Sequence, residues 1–335
     1  MSFKRFDAED FVVSSDSITS TLWSTDTPQL TEFYTSSVQE AGSSGNYYLS
    51  IFQTGSTEDI AATQFDIVYC DSLGSGSEWF NSIVPGNSPS KTMFGQYRAL
   101  ILEDEDANFI FGSDNNTLIG ENFWVISVDR ARYKESLFPG SLNLILSGSG
   151  GEIQLTDNSK DVSINTFIGS SRVFQLVSGS NGSSISGGGY VANSGSYGLV
   201  FPDLGTIILN PYAISQSINV SASRNSNTDD FNNRTLYNSI SLGESFFLNS
   251  QETITSDYIF VRARNSEFNY SENPTFISGS TGEVIYDEFI NSPQTYITTV
   301  GMYNDSNELL AVAKLSRPLL KDFTKEALVR VKLDF

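Results

Sequence analysis

Histidine is absent from the 335-residue chain. With it go Ser-His and Cys-His nucleophile pairs, histidine general bases and histidine-ligated zinc. Cysteine occurs once, at Cys70, so no intrachain disulfide is available and synthesis in a reducing compartment is expected. The thiol follows the apolar stretch Phe65–Tyr69 and precedes Asp71. That setting suits a buried, inert group better than a nucleophile, which needs an electropositive neighbourhood. Charged residues make up only 17% of the chain, which argues against a helical bundle. Apolar runs such as Leu142–Leu146 and Ile207–Leu209 are strand-sized, far short of the about 20 residues that span a bilayer. Met1–Asp10 carries Lys4 and Arg5 with no apolar segment behind them, so no secretory signal is expected. The phosphate-cradling G-x-x-x-x-G-K-[ST] loop is missing, as are G-x-G-x-x-G in a strand–turn–helix context and the G-x-S-x-G elbow.

What the chain does contain is Ser, Thr, Asn and Gly in quantity, with 24 Phe and 15 Tyr to fill a core that a disordered chain would lack. Acidic residues outnumber basic ones by 39 to 19, for a net charge of -20. Such a surface repels a phosphate backbone, so nucleic acid is not an expected partner, and neither is a membrane. The length favours two domains.

Along the chain, Thr27-Pro28 followed by Leu30, Phe33 and Tyr34 predicts a short helix, and Pro89–Leu102, capped by Ser88, predicts a longer one burying Met93, Tyr97, Leu100 and Ile101. Apolar and β-branched runs predict strands at 46–53, 64–70, 123–128, 142–146, 152–155, 172–177, 197–201 and 205–209. The Gly/Ser stretches 147–151 and 178–189 join them as loops. Residues 296–303 and 308–315 flank the turn Asn304–Asn307 as a hairpin that Pro318 is expected to end. In the final segment Val329, Val331, Leu333 and Phe335 alternate with Arg330, Lys332 and Asp334, so the chain end should be tied into a sheet. The fold class expected is mainly β with a few short helices, in two sandwich-like domains. One is discontinuous, built from residues 1–90 plus 246–335, and the other, 91–245, is inserted into it.

Candidate chemistry is sparse. The acidic run Glu103–Asp106 reads as a solvated loop; Asp104, Asp106 and Asn108 have calcium-loop spacing, but Phe109 stands where Gly is needed and Asn115 where the bidentate Glu should be. No metal, cofactor or catalytic residue is assigned. Trp79, Phe80, Tyr47 and Tyr48 could form a sugar-stacking or docking surface, although core packing is the default for each. Residues 311–335 hold six basic residues against three acidic ones in an otherwise acidic chain. Arg317, Lys321 and Lys325 are the candidate interface residues, docking onto an acidic neighbour, with a solvated strand edge as the alternative.

Several segments resemble structural proteins of contractile-tailed bacteriophages of the T-even and cyanophage type. They are FGQYRALIL at 94–102, VDRARYKESLFPGSLNLIL at 128–146, YGLVFPDLGTIILNP at 197–211, EFNYSENPTF at 267–276 and TYITTVGMYNDSNELLAVAKLSRPL at 295–319. In layout, FYTSSVQEAGSSGNYYLSIFQ at 33–53 is similar to the start of the dimeric baseplate wedge subunit of those phages. The resemblance implies a non-enzymatic virion protein of the tail baseplate, made in the host cytoplasm. Its partners would be itself, as a homodimer, and other wedge or tail proteins. A receptor- or carbohydrate-binding tail or fibre-attachment protein is the alternative, and a depolymerase using two carboxylates is a third class.

Overall fold

The computed structural model describes residues 4–76, 83–84, 87–113, 116–163, 165–185, 189–191, 194–225, 231–271 and 273–334. Trp79, Phe80, Asn115 and Phe335 lie outside the described residues. The first third of the chain forms β1 (Phe11–Thr21), β2 (Gln29–Leu30), α1 (Ser37–Ala41), β3 (Leu49–Phe52), β4 (Thr63–Asp71) and α2 (Pro89–Leu102). There follow β5 (Ile110–Ser113), β6 (Asn116–Ile119), β7 (Asn122–Val128), β8 (Ser136–Leu137), β9 (Asn143–Gly148), β10 (Gly151–Asp157), β11 (Thr166–Ile168), β12 (Ser171–Ser180) and β13 (Ser183–Ser184). The remainder forms β14 (Gly198–Phe201), β15 (Thr206–Leu209), α3 (Pro211–Ile218), α4 (Asn232–Gly243), β16 (Phe246–Phe247), β17 (Asn249–Ala263), α5 (Asp287–Asn291), β18 (Thr295–Tyr303), β19 (Leu309–Lys321) and β20 (Ala327–Asp334). The protein is mainly β with short helices.

It divides into two compact units, Ile18–Glu252 and a discontinuous unit of Met1–Ser17 with Thr253–Phe335. The boundaries therefore fall at 17/18 and 252/253, not at 90/91 and 245/246. Residues 18–90 belong to the inserted unit because β4 pairs with β7 along its length, from Phe65↔Val128 to Asp71↔Asn122. The Trp23 indole also donates to the carbonyl of Phe246, 3.0 Å away. Neither partner is visible from the local pattern of residues 18–90.

In the inserted unit the strands follow the order β2-β16-β9-β10-β12-β14-β15-β7-β4-β3, with antiparallel pairing throughout. The sheet curls until its two edges meet, where Tyr34 and Phe52 exchange backbone hydrogen bonds of 2.9 and 2.8 Å. Its halves face each other in sandwich-like fashion, with the Phe65 ring 5.4 Å from that of Phe246.

Alternation along the middle strands divides their side chains between two cores. Phe65, Ile67, Trp124, Ile126, Ile207 and Leu209 point into one, which α3 and α4 complete with Ala213, Ile214, Leu236 and Ile240. Val68, Cys70, Phe123, Val125, Phe201 and Ile208 point into the other, beneath Phe94 and Ile101 of α2. The two helices on the first face are fixed by buried amides. Asn210 caps α3 by accepting from the Tyr212 amide, while its Nδ2 donates to the carbonyls of Ser194 and Ser196. Asn232, at the start of α4, donates to Gly76 and Ser223, and its own carbonyl accepts from the Trp124 indole at 2.9 Å. Gly198 is required where β14 passes β15, since a Cβ there would sit 1.8 Å from the Ile208 carbonyl oxygen.

Helix α2 spans the predicted Pro89–Leu102 after Ser88, but Phe94 rather than Leu100 is buried, and Leu100 is 55% exposed. No helix forms at Thr27-Pro28. The Pro28 carbonyl instead accepts from the Trp23 indole and the Leu248 amide, and Leu30 pairs with Phe246. Tertiary hydrogen bonding here overrides the local capping signal.

An isolated 18–252 fragment should fold and melt in one cooperative transition by circular dichroism and calorimetry. Phe65→Ala within it should cost about 3–5 kcal/mol; a loss below about 1 kcal/mol would show that the ring does not sit at the centre of the first core.

Candidate assembly surface

The discontinuous unit is built differently. Its sheet has the order β1-β17-β20, with β17 and β20 paired from Ser256↔Asp334 to Ala263↔Ala327. Beside it, β18 and β19 form a separate hairpin. Asn304 shapes the turn: its Oδ1 accepts from the Ser306 and Glu308 amides at 3.0 and 2.8 Å, and Asn307 takes φ 62°. Contrary to the sequence expectation, Pro318 does not end the hairpin. Strand β19 continues to Lys321, paired with Thr295, and Pro318 occupies the irregularity between the Thr299↔Lys314 and Ile297↔Leu319 pairs, where no ladder N–H is needed.

The core of this unit is thin. Ile259, Met302 and Val331 are buried, with Phe6, Val261, Ala311, Ala313, Val329 and Leu333 packed around them. The alternation read in the last strand is present, as Val329, Val331 and Leu333 face this core while Arg330 and Lys332 lie over the Tyr258 ring. On the hairpin, Met302 and Ala311 turn inward as one cross-strand pair, and Gly301 and Val312 make the next, outward one. That outward side carries Val312, Leu310 and Leu309, with Leu310 68% exposed. The Tyr303 ring and the Leu309 side chain lie over Gly301. A two-stranded hairpin is marginal alone, and this one has apolar residues on both faces.

The three candidate cations do not form one patch. Arg317 is exposed beside Pro318, and Lys325 is exposed with its Nζ 3.7 Å from Asp322. Lys321 is fully buried. Its ammonium donates to the Asn265 carbonyl at 3.0 Å, Asn269 Oδ1 at 2.8 Å and the Asp322 carbonyl at 2.9 Å. It ties the loop after β17 to the end of β19 and is not available for docking.

Sequence reasoning did not find the groove in this unit. It has a volume of about 1360 Å³, above the roughly 300–1,000 Å³ of small-molecule pockets. One wall is an unbroken run of β18, Thr295–Gly301; the other includes Lys4, Phe6, Val261, Arg262 and Val329. These come from four separate parts of the chain, so no local spacing announces them.

Elsewhere the candidate chemistry resolves into structure. Phe109 is buried in the second core, and Glu103 accepts from the Ser170 amide and hydroxyl. Among the described residues no group of three or more Cys, Asp or Glu side chains is arranged to hold a metal. Tyr47 and Tyr48 are exposed, not packed in a core, because they sit in the turn that precedes β3. Burial and the neighbouring Asp71 push the Cys70 thiol up. Asp71 itself is buried and pairs with Arg224 at 2.6 Å. Asp66, half-buried on β4, has its carboxyl raised chiefly by desolvation, against a hydrogen bond from Ser50. Among the described residues no helix is long and apolar enough to cross a membrane.

No family model matches the chain, and no curated protein and no solved structure matches it.

Two outcomes are expected. Lys321→Met leaves two carbonyls and an amide oxygen without their donor and should destabilise the discontinuous unit by about 1–3 kcal/mol, read as an earlier denaturant transition or earlier amide exchange at 265–269. Asp66 binds its proton more tightly folded than unfolded, so its contribution is fully present below the unfolded value of about 3.9 and is lost as pH rises through the raised folded value. Asp66→Asn should therefore gain on the wild type as pH rises from 4 to about 7; a constant difference between the two would refute the assignment.

Proposed function

We propose that the protein is a structural subunit of the tail baseplate wedge of a contractile-tailed bacteriophage, acting by presenting surfaces on which neighbouring subunits assemble. The observation that carries this reading is the apolar outward face of the β18–β19 hairpin, with Val312, Leu310 and Leu309 on a unit whose own core is thin. Exposed apolar patches mark protein contact surfaces. The segments resembling contractile-tail proteins supply the context, and two of them, 267–276 and 295–319, lie in this unit. On this reading the partners are a second copy of the chain and other wedge proteins, the work is done by buried apolar contact with polar registration, and no bond is broken.

A second reading, a carbohydrate-binding tail or fibre-attachment protein, is favoured by exposed Tyr47 and Tyr48 in one turn and by Tyr270 and Tyr296 along the groove. Glycan-array signal lost in Tyr47→Ala/Tyr48→Ala, from a chain that projects from the particle, would favour it.

Locating the chain in an electron-microscopy map of an intact virion is the direct test, with a position in the baseplate expected and any other position overturning the wedge reading. Replacing Leu310 and Val312 by Asp should abolish incorporation while shifting the melting temperature little. Replacing the exposed cations Arg317 and Lys325 by Gln should slow assembly and flatten its salt dependence, since charge acts on association rate and is screened over about 10 Å at 0.1 M salt.

A further inference from the structure

We propose that β18 receives an extended, acidic segment of a partner protein as an added strand, laid in the groove between Thr295–Gly301 and the end of β17. The inference rests on the assembly reading only in that the occupant is a polypeptide.

The first observation is an open edge. Among the described residues β18 pairs with β19 alone, so the opposite row of its backbone donors and acceptors over Thr295–Gly301 has no strand partner. The groove is lined by every residue of that run, from both faces of the strand, so the strand presents its edge to the cavity.

The second is that this edge carries neither charge nor proline, and the extra residues of the irregularity between Ile297 and Thr299 lie on β19. Native edges are blunted by charge, proline or bulges. The edge strand β20 follows that rule with Arg330 and Lys332 on its outward face. The run TYITTVG contains no Lys, Arg, Asp, Glu or Pro and is rich in β-branched residues. It has the composition of a strand meant to be paired.

The third is the floor. The hairpin buries Ile259 and Val331, whereas Phe6, Val261 and Val329 remain half-buried at the groove. One more strand beside β18, about 4.8 Å away, would extend the hairpin across them. That strand needs apolar side chains on its inner face.

The fourth is charge. The groove is lined by Lys4, Arg5 and Arg262 and by Asp10 and Asp305, so it lacks the strong acidity of the chain as a whole, whose net charge is -20. Lys4 is paired with Glu267 at 3.1 Å, and Arg5 is held loosely, 3.9 Å from Asp305 with both side chains in solvent. Arg262 makes no ion pair among the described residues. Acidic residues on the outer face of the incoming strand would meet Arg5, the loosely held cation of the lining. Alternation of apolar and acidic residues is thus the pattern the site selects.

The probe is a synthetic peptide of alternating valine and glutamate, matched in length to Thr295–Gly301 and added to the full chain. Fluorescence anisotropy should give saturable binding, and hydrogen exchange should show new protection at 295–301. Methylating alternate backbone amides of the peptide should abolish binding. Lysine in place of its glutamates, or Arg5→Glu in the protein, should weaken it at least tenfold. No binding at about 1 mM, equal binding of the methylated peptide, or protection confined to other segments would each overturn the proposal. The readout does not depend on the particle: a chain found outside the baseplate that still binds the peptide would sink the wedge reading and leave strand addition standing.

Discussion

The inserted unit depends on one constraint, that its central strands are covered on both faces. A strand with a single buried face can trade alternate residues against solvent, but β4, β7, β14 and β15 have no solvent face to use. Each residue step along them changes core, from Trp124 in one to Val125 in the other. A one-residue slip of β7 would exchange the two sets and drive Trp124 under α2, where Phe94, Phe109 and Phe123 already stack. Register is consequently fixed from two sides. The helices follow from it, because α2, α3 and α4 are the layers that keep both faces dry, and the buried amides of Asn210 and Asn232 tie the starts of α3 and α4 to the loop carbonyls of Ser194, Ser196, Gly76 and Ser223.

The discontinuous unit obeys the opposite logic. Its sheet has one apolar side only partly covered by a hairpin, and the hairpin's inward alanines, Ala311 and Ala313, contribute little area. By the usual value of about 25 cal/mol per Å² of apolar burial, a core of this size is weakly held. Polar contacts take on a larger share, notably the buried Lys321 ammonium with its three oxygen acceptors. A buried cation of that kind is costly to desolvate and tolerates no loss of a partner, so it fixes geometry more than it adds stability.

How much of this was legible depends on where the deciding interaction lies. Helix α2 was readable to its ends because Ser88-Pro89 and the apolar spacing are local signals. The strands of the double-faced sheet were readable as continuous apolar runs, and so was the alternation of β20. Thr27-Pro28 misled because the Pro28 carbonyl is claimed by Trp23 and Leu248. Helix α4 carried no capping signal: it follows Phe231 at φ 46° with no side-chain cap, and its residues are polar on average. Lys321 read as a surface cation because nothing in the sequence near it shows that Asn265 and Asn269 close over it. The unit boundary was misplaced for the same reason, since the partner of β4 is β7, some fifty residues on. The groove was not legible at all, being assembled from Lys4–Phe6, Val261–Ala263 and Thr295–Gly301.

The division of the chain also sets an order in time. Residues 18–252 leave the ribosome as one uninterrupted stretch and carry everything their two cores require. Strand β1 begins in the preceding segment, yet its sheet waits for β17 and β20 to be synthesised. At roughly 5–20 residues per second, that leaves several seconds in which the larger unit is already complete while the smaller is a pair of unjoined ends. The edge of β18, which lacks gatekeeping charges, is made only after the whole of the larger unit. A nascent chain therefore completes its larger unit before this open edge emerges, and premature pairing between neighbouring chains on one messenger is limited by the order of translation.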